Sequence, residues 1–177
     1  MREDMVTPAT ARRLQRAGLT WAPQLGDWCT VLAGEYRGEA QAGLWLVAAL
    51  APAAGLVGVM DAAGQWPMAR VPAHECVWLP SVGKLKMWLR AHGYRVASGE
   101  LDPTALGTGA RHICRATQPG DTGSVVECEG PSESEAVAEV VVRVLEQFAR
   151  PNDGAVGNAA NAPDTWIPLH DAPTRRL

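Results

Sequence analysis

Residues 42–60, AGLWLVAALAPAAGLVGVM, run for 19 positions without a charge. A run of that kind leaves two outcomes, because a bilayer span needs about 20 apolar residues and a shorter stretch belongs inside a fold. Pro52 and Gly55 interrupt its middle, Glu39 and Asp61 make its flanks acidic rather than basic, and much of the run is weakly apolar Ala and Gly. These features favour a buried β-hairpin, with LWLVAAL and LVGVM as strands and APAAG as the turn. A membrane remains the competing partner through residues 42–60 alone.

Helix signals bracket this hairpin. Thr7 stands as N-cap before Pro8, and Gly18 follows Ala17, which predicts a first helix with Leu14 and Ala17 inward and Arg12, Arg13 and Arg16 outward. Downstream, WLPSVGKLKMWLRAHGYRV (78–96) carries both lysines of the chain, Lys84 and Lys86, beside Arg90 and Arg95. Ser81 caps a second helix over about 82–92 and Gly93 ends it; Val82, Leu85, Trp88 and Leu89 recur at helical spacing as its buried face. Lys86 and Arg90, four apart, then lie on the outer face. The third helix follows from SESEAVAEVVVRVLEQFAR. Ser132 and Glu135 form a capping box, Val137, Val140, Val141, Val144, Leu145 and Phe148 share a face, and Glu139 and Arg143 are spaced for an i,i+4 pair.

Strands fill the intervals: DWCTVLAGEYRGEA as a strand and turn, then WPMARV, HECVWL, YRVASG, RHICRAT and SVVECEG, with DAAGQW and QPGDTG as turns. Short connections make the pairing antiparallel. The expected fold class is α+β, a single antiparallel β-sheet with three helices packed on it. It occupies one domain over residues 1–150, a length that one core can serve. After Pro151 the chain turns rich in Pro, Asn, Gly and Asp and loses periodicity, which predicts a disordered C-terminal tail over 151–177.

Charge bounds the function. A net charge of −3 is not the basic excess expected of a general nucleic-acid binder. Hydrophobic residues at 47% and charged residues at 20% suit a globular core. MREDMVTPATARRLQRAGL has no apolar segment of the secretory kind, so the expectation is a cytoplasmic protein whose four cysteines stay reduced.

Two His-x-Cys pairs, His74 with Cys76 and His112 with Cys114, are the nearest approach to a metal site, since residues two apart on a strand share a face. A hairpin bringing Cys128 toward Cys114 makes His112, Cys114 and Cys128 the runner-up zinc set. The dense CxxC spacing of structural zinc sites is missing, and the deaminase signature fails because Glu75 directly follows His74 and no CxxC exists. No GxSxG elbow or Walker loop is present, and GTG at 107–109 is too short to cradle phosphate. The reading assigns no cofactor, no metal and no catalytic residue.

Seven tryptophans against two tyrosines and one phenylalanine point instead to an interaction surface, because indoles bury much area at low entropic cost. Trp21, Trp66, Lys86 and Arg90 are the candidate partner contacts. The tail adds Trp166 and Ile167 within DTWIPLHD, which has the look of a segment that docks on binding.

The order VGVMDAAGQW, CVWLPSVGKLKMWLRAHGY and SESEAVAEVVVRVLEQ resembles the small proteins common in bacteriophages, prophages and their bacterial hosts. The resemblance covers about residues 55–148 and rests on Leu79, Pro80, Leu85, Trp88 and Leu89. It implies a bacterial or phage setting and brings no activity or ligand with it. The expectation is a non-catalytic accessory or interaction module with a protein partner. A zinc protein or enzyme using the His-x-Cys pairs is the alternative, and an anion or nucleic-acid binder through helix 82–92 the second alternative.

Overall fold

The computed structural model describes residues 4–31, 43–61, 69–101, 111–119 and 125–149. The turns at 62–66 and 120–123, the loop at 102–110, and the tail from Pro151 lie outside these residues.

The chain folds as α+β, with three α-helices and two antiparallel sheets among the described residues. α1 spans Pro8–Arg16, α2 spans Val82–Ala91 and α3 spans Glu133–Ala149. The first sheet has five strands, β1 (Trp28–Val31), β2 (Trp45–Ala51), β3 (Leu56–Asp61), β4 (Ala69–Pro72) and β5 (Cys76–Trp78), in the order β4-β3-β2-β1-β5. The second has three, β6 (Arg95–Leu101), β7 (Arg111–Thr117) and β8 (Val125–Gly130), in sequence order.

The single sheet expected from the sequence is therefore two. Pro80 removes the donor that a continuing strand would need, and Ser81 accepts from the Lys84 amide and starts α2, which carries the chain away. Beyond β5, the N-terminal segment takes the free backbone: Val6 donates to the Pro80 carbonyl at 3.3 Å and Val82 donates to that of Asp4 at 2.8 Å. β6 then starts afresh with β7 as its neighbour.

The uncharged run at 42–60 is the hairpin β2–β3. Pro52–Ala54 form a single 3-10 turn and Gly55 closes it at φ 64, where a side chain would be strained. No helix among the described residues is long and apolar enough to cross a membrane. A register shift between Val47 and Ala49 bends β2. One face of the sheet packs Cys29, Val47, Val57, Val59, Val71 and Cys76 together, with Trp21, Trp45 and Ala73 against them.

A larger core lies among the helices and the second sheet. Leu14 of α1, Leu85 and Leu89 of α2, and Val137, Val140, Val141 and Val144 of α3 are buried with Val77, Cys114 and Cys128. α3 is the central piece, lying on the second sheet with α1 and α2 against it. Gly130, at the end of β8, lets it approach: a Cβ there would stand 2.5 Å from the Ala136 nitrogen.

Three local expectations change in three dimensions. Ser132 caps α3 by accepting from the Glu135 amide at 3.3 Å, but the Glu135 carboxylate does not return the bond. It accepts from the Thr7 amide at 2.8 Å and the Thr10 hydroxyl at 2.5 Å, pinning the start of α1 to α3. Glu139 pairs with Arg13 of α1 at 2.9 Å, in place of Arg143. Phe148, expected on the buried face, is 60% exposed, because α3 outruns the layer it packs on.

Candidate functional site

Among the described residues a concavity lies between α1, the segment that follows it, and β5. Ala11, Leu14 and Gln15 recur on one face of α1 and form one wall. Gly18, at φ 103, stops the helix and turns the chain so that Trp21 folds back as a second wall. Opposite stand His74, Cys76 and Trp78. The cleft encloses about 440 Å³, within the roughly 300–1,000 Å³ typical of ligand pockets. None of its lining residues is acidic.

Its two indoles are held by one buried charge. Asp27, with its side chain 1% exposed, accepts from Trp21 Nε1 at 2.8 Å and from the Gln24 amide at 2.9 Å, and it forms an ion pair with Lys84 of α2. The Lys84 ammonium lies 5.7 Å from the centroid of the Trp78 ring, a cation–π distance. Trp21, Asp27, Lys84 and Trp78 are thus one connected unit drawn from four segments. No buried side-chain nitrogen or oxygen among the described residues lacks a partner. The cleft therefore offers shape and apolar surface rather than an orphaned polar group.

The histidine and cysteine pairs separate. His74 lies exposed in a 3-10 turn, Ala73–Glu75, and not on a strand, so it does not share the strand face of Cys76. Cys76 is 2% exposed; its thiol reaches the Pro72 carbonyl oxygen at 3.7 Å and meets the Cys29 thiol of β1. The hydrogen bond to Cys76, with burial second, holds the Cys29 proton well above the ordinary thiol range. The same bond lowers Cys76.

Cys114 and Cys128 are direct cross-strand partners of β7 and β8, buried beneath α3. Burial pushes Cys114 up to about 11 and raises Cys128 as well. His112 pairs with Gly130 in the ladder, one strand position pair further along. Cys76 and the His112–Cys114 pair thus belong to different sheets, and no three His, Cys, Asp or Glu side chains among the described residues converge as a metal cage would need.

The basic helix is largely neutralised. Lys86 donates to Glu133 at 2.5 Å, and Ser98 donates to the same oxygen at 2.5 Å. The Lys86 bond, then that of Ser98, lowers the Glu133 carboxyl below its ordinary value. Arg90 is exposed on α2. Trp88 is half buried and stacks on His92 with centroids 3.9 Å apart.

Of the residues singled out from sequence as partner contacts, Trp21 is in the cleft, while Lys86 and Arg90 lie on α2 outside its lining. Trp66, Trp166 and Ile167 lie outside the described residues. The sequence reading did not select Asp27 or Lys84; the signal available was one carboxylate in the otherwise uncharged stretch APQLGDWCTVLAG. Comparison with protein-family models, curated proteins and solved structures yields no match for this chain.

Proposed function

We propose that this chain is a non-catalytic binding module that receives a protein partner in the cleft between α1 and β5. The partner segment that fits is a bulky apolar or aromatic side chain flanked by carboxylates. One observation carries the reading: two indoles, fixed through a shared buried ion pair, face an apolar hollow of about 440 Å³. Indoles held this way lose little entropy on binding, which is why Trp dominates interface hot spots. The flanking charges follow from the rim. The lining has no acidic residue, Arg12 is exposed three positions before Gln15, and His74 is exposed at the mouth.

Thiol chemistry has weaker support, since Cys76 is 2% exposed and is engaged with Pro72 and Cys29. An anion site on α2 has weaker support too, with both lysines ion-paired.

The test is selection from a displayed peptide library on the full chain, run beside Gln15→Trp, which fills the cleft from an exposed position of α1. The expected result is enrichment of sequences pairing Trp, Leu or Ile with Asp or Glu, lost in the variant. No enrichment, or enrichment indifferent to Gln15→Trp, overturns the reading.

A further inference from the structure

We infer that in the free protein the chain's own segment Asp164–Asp171, DTWIPLHD, occupies this cleft, so that a partner must displace it; the inference rests on the cleft being a peptide site. Three observations converge on that occupant. First, the segment has the chemistry the cleft asks for: Trp166, Ile167 and Leu169 lie between Asp164 and Asp171. The indole and its aliphatic neighbours suit the apolar hollow, and the two carboxylates suit the exposed imidazole of His74 in its lining and the exposed Arg12, one helical turn before the lining residue Gln15.

Second, the chain leaves α3 beside the cleft. Ala149, Glu146 and Val142 of α3 share a shallow groove with Arg13, Arg16 and Ala17 of α1. The cleft opens on the other flank of the same helix, where Gln15 and Gly18 line it. The path from α3 to the cleft is thus about one helix diameter, roughly 10–12 Å.

Third, the connection is long enough. Trp166 lies 17 residues beyond Ala149, and 17 residues span up to about 56–61 Å when extended. Coil-like chains of that length average about 21–25 Å end to end. A tether of this size raises the local concentration of the segment to the order of millimolar. Even a weak contact of the segment with the cleft is then populated. The composition of the tether (PNDGAVGNAANAP) brings no apolar competitor beyond Val156, and of the two hollows flanking α1 the cleft is the one lined by tryptophan.

The experiment uses full-length protein and a fluorescein-labelled synthetic DTWIPLHD peptide added in trans, read by anisotropy. Three chains are compared: wild type, Trp166→Ala/Ile167→Ala, and that double variant carrying Gln15→Trp. The expected result is at least tenfold tighter peptide binding by the double variant than by wild type, abolished when Gln15→Trp fills the cleft. Equal binding to wild type and double variant, still abolished by Gln15→Trp, overturns self-occupancy and leaves the cleft reading standing. Absence of peptide binding to the double variant overturns the inference, while the library selection decides the cleft reading separately. Binding indifferent to Gln15→Trp also overturns it. A wild-type affinity that rises on dilution of the protein places the segment in a second copy and overturns the intramolecular form.

Discussion

Asp27 and Lys84, 57 positions apart, form an ion pair whose carboxylate is almost wholly buried and whose ammonium is about one-third exposed. The pair joins the loop before β1 to α2 and positions both indoles of the cleft. Removing the cation strands a buried anion, which costs about 3 kcal/mol or more. Lys84→Met should therefore lower stability by about 3 kcal/mol, and Asp27→Asn/Lys84→Met should recover part of the loss because no charge is left buried. Urea denaturation of wild type, Asp27→Asn, Lys84→Met and the double variant measures the cycle.

Glu135 serves two donors of another helix, the Thr7 amide and the Thr10 hydroxyl. Hydrogen bonds to a charged group contribute about 1.5–3 kcal/mol each at most. Glu135→Gln retains one acceptor oxygen and should cost about 1 kcal/mol; Glu135→Ala retains none and should cost about 2 kcal/mol. Amide exchange should rise through residues 7–11 in both variants.

Gly130 has no room for a methyl group, and the obstruction is backbone of α3 rather than a side chain that can turn aside. Gly130→Ala should destabilise by about 1–3 kcal/mol, as overpacked cores do, with the midpoint of thermal unfolding as the readout. Gly99, where a Cβ meets nothing within 4 Å, is the control and should change stability by well under that.

Glu133 has a carboxyl held below its ordinary value of 4.5, first by Lys86 and then by Ser98. A lowered folded value means that stability is present above about pH 4.5 and is lost as pH falls through the folded value. The Glu133 side chain is 41% exposed, so solvent screening holds the contribution to about 0.5 kcal/mol. Wild type should exceed Glu133→Gln by that amount at pH 7, and the two should converge as pH falls through the folded value.

Cys114 gives the opposite limb. Its folded value of about 11 exceeds the ordinary 9.0, because burial disfavours the thiolate. The protonated thiol therefore stabilises the fold below pH 9.0, and that contribution falls away as pH rises toward 11. Cys114→Ala should flatten the alkaline loss of stability. Iodoacetamide at pH 7.5 should label Cys114 and Cys128 orders of magnitude faster in denaturant than in the native chain.

The local elements were legible because their signals are local. Thr7, Pro8 and Gly18 bracket α1, Ser81 and Gly93 bracket α2, and Pro52 with Gly55 marks the hairpin turn. Periodicity identified Leu85 and Leu89 as inward, and both are fully buried. What periodicity cannot carry is the partner of a polar residue. Lys86 read as an outward charge and Lys84 as lying on another flank, and each is claimed by a carboxylate, 47 and 57 positions away respectively. Glu135 read as part of a cap on its own helix, and it caps another across 128 positions. Strand alternation likewise says which face is inward but not which strands share a ladder, so the break at Pro80 between two sheets went unseen. The cleft combines residues 11–21 with 73–80, and only Trp21 of its walls stood out in sequence as a partner contact.

The tie between Glu135 and the first turn of α1 also sets an order of events during synthesis. A ribosome delivers every strand of the five-stranded sheet by residue 78, and most of its ladders join neighbours in sequence, so that layer is free to close early. α1 emerges before all of it, yet the carboxylate that seats it arrives more than 120 residues later, with α3. The helix made first is thus the one whose fastening is completed last: until Glu135 leaves the tunnel, its arm has the bonds of Val6 to Pro80 and of Val82 to Asp4 but not the carboxylate that holds its first turn.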